Sequence, residues 1–235
     1  MSRERTPLRI VLVGTGTSVG KTWIGVALLR ELGRRGLRTV GLKPIESGVV
    51  DEHGTDAAAL GAASSVPPAA PPFRFEPPVS PHLAARHAGT SIELAQPLTY
   101  VQSHESGLGG DPPDVVVVET AGGLFSPLSE TLVNWDLARA LDPSLWVLVA
   151  PDALGVLHDV TATLEAARAR GRAPDELLLS AARSPDASTG TNADELRRLG
   201  IALRPFTCAT DDPAGIAPLV DALLAAPRPL SRSSL

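Results

Sequence analysis

The sequence predicts an α/β fold: a mostly parallel sheet with helices on both faces. Three observations predict it. Short apolar runs alternate with stretches of helical period along the chain, which is the pattern of βαβ units with right-handed crossovers. One run, Val115-Val116-Val117-Val118, is apolar without alternation, as in a strand buried on both faces. A third run, Ile10-Val11-Leu12-Val13, leads through Gly14-Thr15-Gly16-Thr17-Ser18-Val19-Gly20-Lys21-Thr22 into a helical stretch. Strand, glycine-rich turn, Gly-Lys-Thr and helix form the context of a phosphate-binding loop.

The chemistry of such a loop asks for these residue types. Glycines let backbone N–H groups turn inward around phosphate oxygens. The helix that follows points its positive end at the same anion. Lys21 adds a point charge for the β- and γ-phosphates, and Thr22 supplies a hydroxyl to Mg²⁺. The spacing is irregular. The usual motif leaves four residues between its first glycine and Gly-Lys; Thr15 holds that place, and Gly14 lies one residue early. The expectation is therefore a single P-loop NTPase-like α/β domain over residues 1–235, with 1–8 and 231–235 flexible.

Composition agrees. A chain of 235 residues suits one large α/β domain. Its hydrophobic fraction of 43% fills a sizeable core, mostly aliphatic because aromatics are 3%. A formal net charge of −5 gives no global basic footprint for nucleic acid. A lone cysteine, Cys208, builds neither a disulfide framework nor a cysteine metal cluster, so a reducing cytoplasm is expected. No apolar run approaches the ~20 residues that span a bilayer. Arg3, Arg5 and Arg9 before an apolar stretch imitate a secretory signal, but the stretch is short and runs straight into the loop.

The elements follow in order. Strand one is expected over 9–14, and helix one over 22–35, with Leu28, Leu29 and Leu32 at helical spacing and Gly33 and Gly36 at its end. A short strand over 39–42 stops at Lys43-Pro44, where a loop Lys43-Pro44-Ile45-Glu46-Ser47-Gly48 begins. Asp56 opens an alanine-rich helix over 57–63. Residues 66–81 are proline-rich but interleave Phe73, Phe75 and Val79, so an ordered extended segment is expected rather than a linker. Short helices follow over 82–87 and within 91–106, the latter started or kinked by Pro97. Residues 107–113 read as a turn region. After the four-valine strand come helix 134–141, strand 145–149, helix 155–170, strand 177–181, helix 191–199, strand 201–204 and a last helix over 213–225.

In such a sheet, ligands sit beyond the carboxyl ends of the strands. Four candidates fall there: the phosphate loop, Lys43, Glu119, and Asp152-Ala153-Leu154-Gly155. Glu119 ends a doubly buried strand, where an unpartnered carboxylate is costly; a Mg²⁺ near Thr22 resolves that cost, and a strand-end turn is the plainer reading. Asp56 is either a helix N-cap or a metal ligand. Lys43 is either a solvated charge or, beside a triphosphate, a stabiliser of developing negative charge. His82 alone is more often structural than catalytic. Gly122-Gly123 permits close backbone approach to a ligand, and a simple turn also explains it.

Taken together these motifs resemble the dethiobiotin synthetase family. The resemblance rests on Gly14 to Thr22, Gly41-Leu42-Lys43-Pro44-Ile45-Glu46-Ser47-Gly48, Asp56, Ser80-Pro81-His82, Glu119-Thr120-Ala121-Gly122-Gly123, Pro127-Leu128-Ser129-Glu130-Thr131 and Leu154-Gly155, in the family's order over residues 9–160. It implies ATP- and Mg²⁺-dependent closure of a ureido ring on diaminopelargonic acid with CO₂, through a carbamate and a carbamic-phosphoric anhydride. It implies that Lys21 and Lys43 hold phosphoryl and carbamate charge, and that Thr22, Asp56 and Glu119 gather Mg²⁺. The nucleotide would lie against Ser18, Val19, Gly20, Lys21, Thr22 and Trp23, with Asp56, Glu119, Thr120, Ala121 and Gly122. Thr15 and Ser47 would touch the diamine or carbamate, with Ser80 and Pro81 nearby. The family acts as a homodimer with substrate at the interface. The substrate carboxylate would sit at the helix start formed by Leu154, Gly155, Val156, Leu157 and His158.

The sequence departs from the family pattern on the base side. Gly16 and Ser18 stand where acidic residues are frequent, and Thr120 replaces a frequent glycine. Ala181 and Ala182 stand where many members carry an Asn-Asp that reads adenine, and no Pro-Trp segment is recognisable around Arg204-Pro205-Phe206. The expectation is relaxed base preference among nucleoside triphosphates. The competing reading is a partition or cell-division type ATPase switch acting on a macromolecular partner. Those proteins usually carry a second lysine where Gly16 lies, and often a basic face or membrane tail. Amidoligases related to cobyrinate synthesis add a glutaminase domain, for which 235 residues leave no room.

Overall fold

The computed structural model describes residues 6–51, 54–201, 205–208 and 213–225. The chain begins with β1 (Leu8–Gly14), α1 (Lys21–Arg34), β2 (Thr39–Leu42) and β3 (Ile45–Ser47). Next come α2 (Asp56–Ala63), β4 (Phe73–Phe75), α3 (Pro81–His87) and α4 (Ala95–Glu105), then a single 3₁₀ turn over Gly107–Gly109. The second half holds β5 (Val115–Glu119), α5 (Asn134–Ala140), β6 (Leu145–Pro151), α6 (Val156–Ala169), β7 (Glu176–Ser180) and α7 (Asn192–Arg198). It closes with β8 (Pro205–Cys208), a 3₁₀ turn over Pro213–Ile216 and α8 (Ala217–Ala225).

Six strands form one parallel sheet in the order β2-β5-β1-β6-β7-β8. β1 lies inside it, with Ile10 opposite Val117 on one side and Leu145 on the other. Successive side chains point to opposite faces, so the valine run feeds two cores. Val116 and Val118 join Val11, Val13, Leu137 and Leu164 on the face covered by α5 and α6. Val115 and Val117 join Ile10, Leu12, Ile24, Leu28 and Val220 on the face covered by α1 and α8. The expected fold, a mostly parallel sheet with helices on both faces, is the one observed.

α1 ends as its glycines foretell. Gly36, at φ +80°, donates to the Gly33 carbonyl at 2.9 Å, and Leu37 donates to Leu32 at 3.2 Å, the paired bonds of a Schellman end. α2 is placed by a notch. Its one buried residue is Leu60, and Leu60 packs where Gly25 and Gly41 carry no Cβ. A Cβ on Gly41 would lie 2.5 Å from Leu29 Cδ1 and 3.1 Å from Leu60 Cβ. That close approach brings the start of α2 to the carboxyl end of the sheet.

The differences from expectation are local. Residues 45–47 and 73–75 form a separate two-stranded parallel sheet instead of loop, with Phe73 and Phe75 buried. Three-residue strands among prolines show no periodicity to read. The proline-rich segment is ordered by His104, which accepts from Ala69 N–H at 2.9 Å while its other nitrogen donates to the Tyr100 carbonyl at 2.7 Å. Thr55, not Asp56, is the N-cap of α2: its hydroxyl accepts from Ala58 N–H at 3.0 Å. The strand expected over 201–204 is corrected. Ile201 is outside any strand, 202–204 lie outside the described residues, and β8 is Pro205–Cys208. Of residues 1–8 and 231–235, expected to be flexible, 1–5 and 231–235 lie outside the described residues, and Leu8 is instead buried as the first residue of β1.

Candidate functional site

A cavity of about 390 Å³ opens at the carboxyl ends of β1, β2, β5 and β7. Ser18, Val19, Gly20, Lys21, Thr22 and Trp23 line one wall. The loop is held in a left-handed turn, with φ +58° at Ser18 and +91° at Gly20. Gly20 is required twice over: its φ favours glycine, and a Cβ there would sit 2.7 Å from Ser180 Cβ. Ser180 Oγ donates to the Val19 carbonyl at 2.7 Å, so the end of β7 braces the loop. Lys21 Nζ donates to the Gly16 carbonyl at 3.1 Å across the turn. Burial pushes the Lys21 ammonium down to about 8, and the Lys43 charge adds to the effect against the pull of Glu119 and Asp56.

Facing the loop is a compact charge cluster. Glu119, at the end of β5, is 1% exposed. Its Oε1 accepts from Thr22 Oγ1 at 3.1 Å and from Lys43 Nζ at 2.8 Å. Lys43, 6% exposed, also pairs with Asp56 at the first turn of α2. Burial works against the Lys43 charge, but the Glu119 and Asp56 carboxylates outweigh it and raise its pKa above the ordinary lysine value. Burial likewise opposes ionisation of Asp56, yet Lys43 and the Thr22 hydroxyl hold its carboxyl below the usual range. Glu119 Oε2 is buried with no hydrogen-bond partner. An unsatisfied buried carboxylate oxygen is costly.

That orphaned oxygen tests the fit of a metal. Thr22 Oγ1, Asp56 and Glu119 are hard oxygen donors at one point, which suits Mg²⁺. Among the described residues no group of three or more His, Cys, Asp or Glu could hold a metal ion. The Thr22 hydroxyl and two carboxylates would be the protein's donors to such an ion, with phosphate oxygens and water as the rest, the common way Mg²⁺ is bound. Lys43 Nζ now stands between the two carboxylates that such an ion would use.

The other expected residues divide. Gly122 lines the cavity. Thr120 and Ala121 do not: Thr120 Oγ1 donates to the Leu12 carbonyl at 3.2 Å, and the Ala121 carbonyl accepts from Asn134 Nδ2. Thr120 thus ties β5 to β1, and Ala121 is held by the first residue of α5. Thr15 and Ser47 lie outside the lining; Thr15 N–H donates to Val149 O at 3.0 Å, and Ser47 ends β3. Ser80 is the N-cap residue of α3, Pro81 is its buried first residue, and Ser80 Oγ is 2.9 Å from His82 Nδ1. His82 faces a separate groove with Arg86 and Thr131. Leu154, Gly155, Val156, Leu157 and His158 surround the start of α6, away from the cavity; Leu154 is 84% exposed. The Leu154 N–H is taken by the Asp186 carboxylate at 2.8 Å. Asp152, placed by sequence among the ligand-facing groups, is instead a buried anchor. It accepts from Gly190 N–H and Asn192 Nδ2, both at 2.8 Å, and so fixes the loop before α7.

Thr17, Ser180 and Arg183 also line the cavity, and the sequence reading assigned them no role. Position alone could have suggested Ser180 and Arg183, because they flank Ala181-Ala182 just past the end of β7.

A braced glycine loop at a strand-to-helix turn, with Lys21, Thr22 and a strand-end acid, defines the class: this is a P-loop NTPase fold. More narrowly, the chain belongs to an AAA domain family, whose model matches residues 8–202 and which includes dethiobiotin synthetases and related P-loop NTPases. Solved structures resemble it at the level of fold. Chloroplast FtsY from Physcomitrella patens is 18% identical with a TM-score of 0.53, over 95% of this chain and 66% of that one. A DUF1611 family protein from Anabaena variabilis is 16% identical with a TM-score of 0.53, over 94% of this chain and 58% of that one. The signal recognition particle receptor FtsY from Elizabethkingia anophelis, in complex with GDP, is 19% identical with a TM-score of 0.49, over 77% and 51%. The chain thus spans about half to two thirds of the length of these structures. No helix among the described residues is long and apolar enough to cross a membrane.

Proposed function

We propose that this chain is a dethiobiotin synthase, a cyclo-ligase that uses ATP, CO₂ and 7,8-diaminopelargonic acid. The observation that carries the reading is Lys43, delivered by a Lys-Pro-x-x-Ser-Gly loop to the carboxylates of Asp56 and Glu119 beside the phosphate loop. Partition-type switches usually carry their second lysine within the loop, where this chain has Gly16, not after β2. Family membership supports the reading at the coarser level.

One amine of the diamine adds to CO₂, forming a C–N bond and releasing a proton, to give a carbamate. A carbamate oxygen attacks the γ-phosphorus, and the bond to ADP breaks. The second amine attacks the carbonyl carbon of the mixed anhydride, closes the ring, and expels phosphate with release of its proton. Lys21 and Lys43 hold the negative charge that shifts between phosphoryl and carbamate oxygens. Thr22, Asp56 and Glu119 would hold Mg²⁺, which when bound would supply charge neutralisation to the phosphates. Thr15, Ser47, Ser80 and Pro81 lie outside the cavity lining, and the resemblance alone assigns them to the diamine.

The start of α6, from Leu154 to His158, lies outside this chain's own cavity. Its role as a carboxylate site therefore belongs to a homodimer in which each copy completes the site of the other. Each copy contributes one domain to this unit, which in this reading acts in the cytoplasm on small molecules rather than on nucleic acid or a membrane.

The test is incubation with diaminopelargonic acid, bicarbonate and ATP, followed by mass spectrometry for dethiobiotin. Product that requires all three supports the reading. Nucleotide hydrolysis that ignores the diamine and responds to DNA or lipid would favour the partition-type switch instead.

A further inference from the structure

Glu46 is buried, sits three residues after Lys43 on β3, and lines none of the wall described above. Its carboxylate reaches the start of α2. Oε1 accepts from Asp56 N–H at 2.7 Å, and Oε2 takes a longer contact from Ala57 N–H at 3.4 Å. The first amides of a helix have no partner within the helix, and a carboxylate is well suited to them. α2 has eight residues and one buried side chain, Leu60. A helix so short does not hold its own end in place. Thr55 Oγ1 secures Ala58 N–H, and Glu46 secures the two amides before it.

We propose that Glu46 is a positioning residue: it clamps the first turn of α2 so that Asp56 stays within reach of Lys43, Thr22 and Glu119. One short segment then supplies two parts of the site. Lys43 comes from the end of β2, and the clamp for its partner follows on β3, joined by Lys43-Pro44. A plain helix cap would stabilise α2 and no more. Glu46 differs because its main partner is the N–H of the residue whose carboxylate pairs with Lys43. Thr55 offers the internal comparison, since it caps the same helix through Ala58. The inference rests on the reading of Asp56 as a Mg²⁺ ligand in the nucleotide complex.

The experiment measures Mn²⁺ affinity of the full chain saturated with ATP, by electron paramagnetic resonance of free Mn²⁺, alongside thermal unfolding. Glu46→Ala is expected to weaken Mn²⁺ about tenfold, the order of effect seen when a partner of a metal ligand is lost. Glu46→Gln keeps one acceptor for Asp56 N–H and is expected to recover most of that loss. Thr55→Ala is expected to lower the melting temperature while leaving Mn²⁺ affinity unchanged. Asp56→Asn is the reference for a lost ligand. Wild-type affinity in Glu46→Ala, with weak binding in Asp56→Asn, would overturn the clamp and leave the metal site standing. Equal weakening in Thr55→Ala and Glu46→Ala would also overturn it, because helix stability alone would then explain the effect. Wild-type affinity in Asp56→Asn would remove the reading of Asp56, and the clamp with it.

Discussion

Replacing Lys43 with methionine keeps most of the side-chain volume and removes the charge. The ammonium lies 2.8 Å from Glu119 Oε1 and also pairs with Asp56, and it is 6% exposed. Removing one partner of a buried pair leaves the other charged and unpaired, at a cost of about 3–5 kcal/mol. Glu119 is the more buried partner, and its second oxygen already lacks a hydrogen bond, so the loss belongs in that range. At about 2–4 °C per kcal/mol for a domain of this size, the melting temperature should fall by roughly 6–20 °C. Mg²⁺ with ATP should recover much of that fall, because the ion supplies the missing positive charge to the same carboxylates. Turnover should not recover: loss of one preorganised donor commonly costs ~10²–10³ in rate. The assays are thermal unfolding with and without Mg²⁺-ATP, and dethiobiotin formation. Turnover within a few-fold of wild type would refute the role given to Lys43. An unchanged melting temperature would refute the energetic reasoning.

Three further outcomes are expected. Gly20→Ala forces a Cβ into Ser180 at a φ of +91°, so ATP affinity measured by calorimetry should fall well over tenfold, whereas wild-type affinity would show that the loop can shift. The end of β7 offers Ala181, an exposed Arg183 and a Ser180 whose hydroxyl is committed to Val19; ATP, CTP and GTP should therefore support similar turnover, Arg183→Ala should weaken all three alike, and a strong preference for ATP alone would contradict this. Hydrogen bonds from Arg34, then Arg35, lower the Glu31 carboxyl to about 2. Its contribution, about 0.5–1 kcal/mol for a surface network, is present above pH 4.5 and lost as pH falls toward 2. The stability gap between wild type and Glu31→Gln should narrow on acidification, and a gap constant with pH would argue against it.

Five of the six strands of the main sheet were legible because each carries its own signal; β8, expected over 201–204 and found over Pro205–Cys208, was not. The four valines, the apolar run before the loop and the glycine end of α1 are local patterns with local causes. The parts of the site on strand ends were legible for the same reason: Lys21, Thr22, Lys43 and Glu119 stand where chain direction puts them. What escaped the sequence depends on pairs far apart in the chain. β3 and β4 exist only because Ile45 meets Phe73 across the proline-rich segment. Glu46 is only one residue of the Lys43–Gly48 loop in the sequence, and its role depends on the start of α2, ten residues on. Asp152 stands at a strand end like Glu119, yet its neighbours Gly190 and Asn192 turn it into a loop anchor. The same limit explains Thr120 and Ala121, which precede Gly122 in sequence but are held by Leu12 and Asn134.

In the proposed reaction the cluster of Lys21, Thr22, Lys43, Asp56 and Glu119 joins the carbon of CO₂ to a diamine at the expense of a triphosphate. Its most direct measurement uses ¹³C-bicarbonate, diaminopelargonic acid and ATP, with the ureido carbon followed by mass spectrometry and phosphate counted in parallel. The account predicts one labelled carbon in dethiobiotin for each phosphate released, and none of either from the Lys43 variant. Phosphate release at the same rate without the diamine, and no labelled product, would contradict it.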